Sequence, residues 1–286
     1  GLSFARSLAD SGLSVTLVEQ QPRAALAAPA FDGREIALTH ASRATLERLG
    51  LWARLPAEDI SPLRDARVMN GASPFALTFA ATQRTRGDLG WLVPNHLIRR
   101  AAWEAVQGQE GLEVRDGTSL TALQSAGDRV ELTLSDAQTL SARLLVAADS
   151  RFSSTRRLLG IGAQMRDFGK TMLVCRMRHR LPHHHAAWEW FGYGKTLALL
   201  PLQGDRAGAV LTLPPRRVDA LLALDEAAFG RAITEYFEHR LGDMVQDGSR
   251  HAYPLVGVYA ERFVAARSAL IGDAAVGMHP VTAHGF

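Results

Sequence analysis

With 286 residues, 47% hydrophobic and 21% charged, 25 glycines, 12 prolines and one cysteine, the chain has the make-up of a folded globular protein, which excludes disorder, collagen and a disulfide scaffold. A net charge of +3, with 32 basic residues (all but Lys170 and Lys195 arginine) scattered among 29 acids, offers no basic stripe for nucleic acid. No apolar run reaches the roughly 18 residues that span a bilayer, residues 1–10 do not read as a secretory signal, and the single Cys175 fits a reducing cytosol.

From Gly1 to Asp10 apolar residues recur at Leu2, Ala5, Leu8 and Ala9, which predicts a short helix, with Gly12 as its left-handed C-terminal cap. Ser14 to Glu19 (SVTLVE) then reads as a buried strand ending in an acid. Helix, glycine, apolar strand and terminal carboxylate form the second half of a βαβ nucleotide-binding unit. Gly1 stands where the last glycine of a G-x-G-x-x-G turn would let the helix pack closely on the strand. Glu19 stands where a free carboxylate would accept hydrogen bonds from ribose hydroxyls.

A helix is expected from Leu97 to Val106, and alternating strands over 112–147, clearest at Val130–Leu134 after a Gly127-Asp128 turn, suit an antiparallel meander. Residues 144–157 (LLVAADSRFSSTRR) read as a buried strand closed by Asp149, followed by small polar residues and an arginine pair. Strands TMLVCRM, TLALLPL and GAVLTL within 166–215 suit a second sheet. Residues 218–243 read as an amphipathic helix with Leu221, Leu222, Leu224, Phe229, Ile233 and Phe237 as its buried stripe. Near the C-terminus Ala269–Ile271 is a short strand running into Gly272-Asp273, which leaves a carboxylate at a sheet edge beside room for a ligand. The Gly-, Pro- and His-rich stretch after it, with His279, Pro280 and Gly285, reads as a loop.

Three features have plain readings. Adjacent His183, His184 and His185 do not converge as i, i+4 ligands would, so they read as a solvated loop and no metal site is expected. Trp188-Glu189-Trp190 reads as strand residues over a pocket or in the core, and Cys175 as a small buried hydrophobe. No G-x-S-x-G nucleophile elbow is present, so a serine-based triad has no anchor.

Together, Gly272-Asp273-Ala274-Ala275 with His279-Pro280, Ala148-Asp149 with Ser153 and Arg156, and FDGREIAL at 31–38 followed by LGLW at 49–52 resemble the FAD-dependent aromatic hydroxylases of the p-hydroxybenzoate hydroxylase fold. Within them the chain resembles the ubiquinone-biosynthesis hydroxylases, and WLVPNHLIRRAA and WEWFGYG point to the type that adds the C5 oxygen to a demethoxyubiquinol ring. The resemblance runs along nearly the whole chain. Ser150 replaces the usual glycine of the middle fingerprint, and Ala283-His284-Gly285-Phe286 replaces Gly-Gln-Gly-Phe.

The resemblance implies an α/β fold: a Rossmann-like FAD/NAD(P)-binding domain (1–70, 93–165 and 255–286) carrying an inserted, mostly antiparallel substrate domain (71–92 and 166–254), with Tyr253-Pro254-Leu255 as the return strand. It also implies that Gly1, Glu19, Arg34, Asp273, Pro280 and Gly285 contact FAD, with Asp273 on a ribityl hydroxyl and Pro280 against the flavin, and that Asn95 is a lesser contact. The family's first strand and the helix after Gly285 are missing, so the chain reads as an internal fragment that by itself binds FAD poorly or not at all and is inactive.

The implied activity is a monooxygenase. NAD(P)H or another donor reduces FAD, oxygen adds to form a flavin hydroperoxide, and its distal oxygen goes to a prenylated phenol or quinol; no general base is assigned. The cofactor does the difficult chemistry, while the protein must align the ring and exclude water. A cytoplasmic enzyme is expected that meets its lipophilic substrate peripherally at the inner membrane or in a ubiquinone-biosynthesis complex. The alternatives within the fold are a flavin reductase or halogenase, and outside enzymes a catalytically silent assembly partner.

Overall fold

The computed structural model describes residues 1–81 and 87–279. They form two compact units. The first contains Gly1–Pro29, Arg99–Phe168 and the described residues from Val256 on; the second contains the described residues of Ala30–Ile98 together with Gly169–Leu255.

In the first unit, helix Leu2–Ser7 buries Ala5, and Leu2 packs with Leu26, Trp103, Val106, Leu112 and Val114. The helix ends earlier than its apolar spacing suggests. Gly12 is left-handed (φ 71°), but Asp10 (φ 60°) is too, so a two-step turn replaces a single glycine cap. Strand Val15–Glu19 is half-buried rather than buried, and pairs in parallel with Leu112–Asp116 so that Glu19 lies opposite Asp116.

The expected antiparallel meander is confined to Leu120–Ala126, Arg129–Leu134 and Thr139–Ala142. In its central strand Val130, Leu132 and Leu134 are buried while Arg129 and Glu131 are exposed, the period of two that follows from alternating Cβ directions. Leu145–Ala147 leaves the meander and pairs in parallel with Ser268–Leu270, over a small core of Ala147, Ile161, Ala260, Leu270, Ala274 and Ala275.

The second unit is built on a large sheet whose strands run in the order Met244–Ala260, Ala163–His179, Arg206–Leu213, Lys195–Pro201, Ala186–Gly192, Asp65–Asn70 and Ala76–Ala80. The first two begin or end in the other unit. From Ala163–His179 outward the pairings are antiparallel except Ala186–Gly192 with Asp65–Asn70, which is parallel. One face carries the row Met69, Trp190, Leu197, Leu211 and Leu173, and helices cover it through Val218, Leu221, Phe229, Ile233 and Phe237. Burying side chains of this size stabilises by about 1.5–3 kcal/mol each.

The long amphipathic helix expected over 218–243 is two helices, Pro215–Leu222 and Glu226–Tyr236. Asp225 causes the break: its Oδ1 accepts from the Ala228 amide at 2.7 Å, an N-cap that starts a new helix. Leu222 is exposed, while Leu221, Phe229, Ile233 and Phe237 keep the buried stripe.

The units divide differently from the expected domains. Residues 30–70 and 93–98 group with the second unit, because Glu35–Leu38 and Ser61–Leu63 flank Gly90–Pro94 in a three-stranded sheet and Asp65–Asn70 joins the large one. No helix among the described residues is long and apolar enough to cross a membrane.

Candidate nucleotide-binding site

In the first unit the candidate residues lie at the C-terminal edges of two parallel ladders, where α/β sheets bind ligands. At the first edge Glu19 and Asp116 end paired strands side by side. Asp116 is engaged: its Oδ2 accepts from the Arg23 amide at 2.6 Å, and its Oδ1 lies 3.8 Å from the Arg23 guanidinium. Among the described residues Glu19 accepts only from the Gln21 amide, at 2.9 Å through Oε1, which leaves its Oε2 as an acceptor for a ligand. Gly1 starts the helix directly on this strand. A Cβ there would sit 3.4 Å from Leu17 Cδ1, ordinary contact, so closeness alone does not demand glycine.

The second edge joins two fingerprints that lie far apart in sequence. Ala147 pairs with Leu270, so Asp149 and Gly272, each two residues on, leave the sheet together. Asp149 accepts from the Ser153 hydroxyl at 2.5 Å and the Thr155 amide at 3.2 Å, and Ser153 caps helix Ser154–Leu158 by accepting from the Arg156 amide at 2.8 Å. Arg156, only 3% exposed, donates through Nη1 to the carbonyls of Arg151 and Ala274, both at 3.1 Å. Asp273 is left half-exposed, with Arg151 Nη2 3.8 Å from its Oδ2. Exposed carboxylate acceptors at strand ends are the donor-seeking groups that a polyhydroxylated dinucleotide requires, so these residues fit FAD.

Arg34 belongs to the second unit, in a cluster the sequence indicated only in part. Its Nη2 lies 2.6 Å from Asp32 Oδ2, which also accepts from Asn95 Nδ2 at 2.7 Å, and the Tyr253 hydroxyl donates to the Asp32 carbonyl at 2.6 Å. Burial alone would raise the Asp32 carboxyl, but the hydrogen bonds from Arg34 and Asn95 outweigh it and hold the group below the usual carboxylate range. Gly33 is left-handed (φ 72°), and a Cβ there would meet His251 Cδ2 and Val174 Cγ2 at 2.8 Å. Next to it Glu35 is almost fully buried and accepts from Arg176 Nε at 2.7 Å. Burial still pushes its carboxyl up despite that pairing. The sequence singled out Arg34 and Asn95 but neither Asp32, whose carboxylate binds both, nor Tyr253, which binds the Asp32 carbonyl; an acid before a glycine was the available signal for Asp32. Pro280 and Gly285 lie outside the described residues.

His183 corrects the solvated-loop reading. It is buried, and its Nε2 is 2.8 Å from the Leu202 carbonyl oxygen, because the loop folds back on strand Lys195–Pro201 instead of projecting. Among the described residues no group of three His, Cys, Asp or Glu side chains could hold a metal ion. Cys175 is a core residue, its thiol pushed up to about 12 by burial.

A family model described as "FAD binding domain" matches residues 1–286. The chain belongs to this family of FAD-binding domains. It is 48% identical over 290 residues to the ubiquinone hydroxylase UbiM of Neisseria meningitidis serogroup C, covering 100% of this chain and 63% of that protein. It is 36% identical over 285 residues to the ubiquinone hydroxylase UbiL of Rhodospirillum rubrum, covering 100% of this chain and 66% of that protein. The chain thus spans a little under two thirds of the length of these curated relatives. Among solved structures, P. aeruginosa PqsL in complex with 2-aminobenzoylacetate aligns with a TM-score of 0.78 at 23% identity, over 99% of this chain and 78% of that one, which establishes the shared fold.

Proposed function

We propose that the protein is an FAD-dependent monooxygenase that hydroxylates the aromatic ring of a lipophilic phenol or quinol in ubiquinone biosynthesis, with molecular oxygen as co-substrate and NAD(P)H as electron donor. The observation that carries this reading is the pair of carboxylates with acceptor capacity to spare, Glu19 and Asp273, at C-terminal strand edges of an FAD-binding chain that is 48% identical to a ubiquinone hydroxylase. When bound, FAD supplies the redox and oxygen chemistry.

The chain's own residues bind and orient. Glu19 accepts hydrogen bonds from ribose hydroxyls and Asp273 from the ribityl chain. Arg156 holds the Asp149 and Asp273 segments at one edge, which fixes where Asp273 is presented. Within the second unit, Asp32 accepts from both Arg34 and Asn95 and holds the Arg34 guanidinium in place. Because a prenylated substrate is dissolved in lipid, the same reading places the enzyme in the cytoplasm, peripherally at the inner membrane or in a ubiquinone-biosynthesis complex.

The test supplies the full-length protein with FAD, NADH or NADPH, isotopically labelled oxygen and a prenylated phenol. A product carrying one labelled oxygen atom on the ring is expected. A halogenated or merely reduced product, or purified protein without a flavin spectrum, overturns the reading in favour of a reductase, a halogenase or a silent assembly partner.

A further inference from the structure

The large sheet has a second face, opposite the helix-covered core. Cross-strand register places Leu77, Val68, Glu189, Ala198, Val210 and Val174 in one row on it. The alternate row, from Met69 through Trp190 to Leu173, lies in the core, so side-chain alternation turns Glu189 away from it. The segment 31–35 packs on one end of this face, since the position of a Gly33 Cβ is 2.8 Å from Val174 Cγ2 and Gly208 faces Glu35 Cγ. Glu189 stands three strands further along the row, about 14 Å away at strand spacing. Between the two lie Ala198 and Val210, both apolar.

Glu189 is the only acid in this row. Among the described residues its carboxyl has no hydrogen bond or ion pair, and it is half-buried. A carboxyl kept in apolar surroundings without a partner costs stability, which a bound donor would offset. We propose that Glu189 is the proton acceptor for the ring hydroxyl of an apolar phenol or quinol lying over Ala198 and Val210. This rests on the monooxygenase reading above, whose substrate carries such a ring. The hydroxyl hydrogen passes to a Glu189 carboxylate oxygen. The electron pair of the broken O–H bond stays on the ring oxygen and enriches the ring carbons to be hydroxylated.

Burial, acting alone, pushes the Glu189 carboxyl up to about 7, the range in which an acceptor works near neutral pH. Other charged or titratable groups on this face lie away from it. Arg176, Arg178 and Arg206 stand on the two strands beyond Lys195–Pro201, with Asp205 and Asp247 beside Arg178 and with Glu58 and Asp59 lining one pocket with Arg176 and Arg206, while Lys170 donates through Nζ to the Gly194 carbonyl at 2.9 Å, in the turn after the Glu189 strand. Asp32, Arg34, Glu35 and His251 belong to the segments around Gly33. Asp65–Asn70 and Ala76–Ala80 contribute none to this face. Arg67 and Arg240 lie over Trp188, on the other face.

The experiment uses the full-length, FAD-loaded protein, its Glu189→Leu and Glu189→Gln variants, and a long-chain alkylphenol with its methyl ether as probes. The wild type is expected to bind the phenol at least about tenfold more tightly than the ether, with phenol affinity rising with pH through about 7. Glu189→Leu should erase the preference and Glu189→Gln the pH dependence, both with unchanged flavin content. A wild type that does not prefer the phenol, or variants that keep the preference and its pH profile, overturns the assignment. If the preference tracks Glu189 but no hydroxylated product forms, the monooxygenase reading falls and Glu189 stands. If Glu189→Leu makes product with wild-type kcat/KM and pH profile, Glu189 falls and the monooxygenase stands.

Discussion

Arg156 Nη1 donates to the Ala274 carbonyl oxygen, 3.1 Å away and 118 residues on in the chain, and the same nitrogen donates to the Arg151 carbonyl. One buried guanidinium therefore fixes both segments that emerge from the Leu145–Ala147 and Ser268–Leu270 ladder. In Arg156→Met both carbonyls lose a charged donor. A loss of about 2–3 kcal/mol in stability together with weaker flavin retention is expected, by urea denaturation and flavin absorbance of the full-length protein. Stability at the wild-type level would mean that the segments are held by the strand pairing alone.

Glu19 and Asp116 are equivalent in register but not in chemistry, since Asp116 is engaged by Arg23 and Glu19 is not. Glu19→Ala should weaken FAD binding by about 1–3 kcal/mol, while Asp116→Ala should leave FAD affinity unchanged and cost stability. FAD titration of the two variants separates the roles, and an effect of Glu19→Ala on NADPH alone would assign the site to the other nucleotide.

Gly33 has positive φ, and neighbours stand at 2.8 Å from where its Cβ would be. Gly33→Ala is therefore strained twice over, by conformation and by contact with Val174 and His251. A destabilisation of roughly 1–3 kcal/mol is expected, visible as a lower urea midpoint.

Glu189 makes stability depend on pH. Its folded carboxyl titrates near 7, above the ordinary glutamate range, so between that range and about 7 the folded state holds a proton that the unfolded state has released. Stability then falls as pH rises through this window. Glu189→Gln should raise the urea midpoint at about pH 8 more than at about pH 4, and equal shifts at both would show that the folded carboxyl titrates normally.

Much of the site was legible because its signals are local. A strand that ends in Glu19, or in Leu270 followed by Gly272-Asp273, can be read from apolar runs and the residue after them. The helix break at Asp225 was also local, an N-cap inside a helical pattern, and the continuous apolar stripe masked it. Tyr253 could not be read as a partner of Asp32, because 221 residues separate the two groups that bond.

By itself the amino-acid sequence determined the strands that end in the site carboxylates, and their order, since hydrophobic period and turn chemistry act over a few residues. Only the tertiary structure decided which carboxylates keep an oxygen to spare. Asp116 and Asp149 turn to neighbouring amides, Asp32 to Arg34 and Asn95, whereas Glu19, Asp273 and Glu189 keep acceptor capacity. Whether a polar group is satisfied depends on donors brought near by the fold, and no local pattern encodes that proximity.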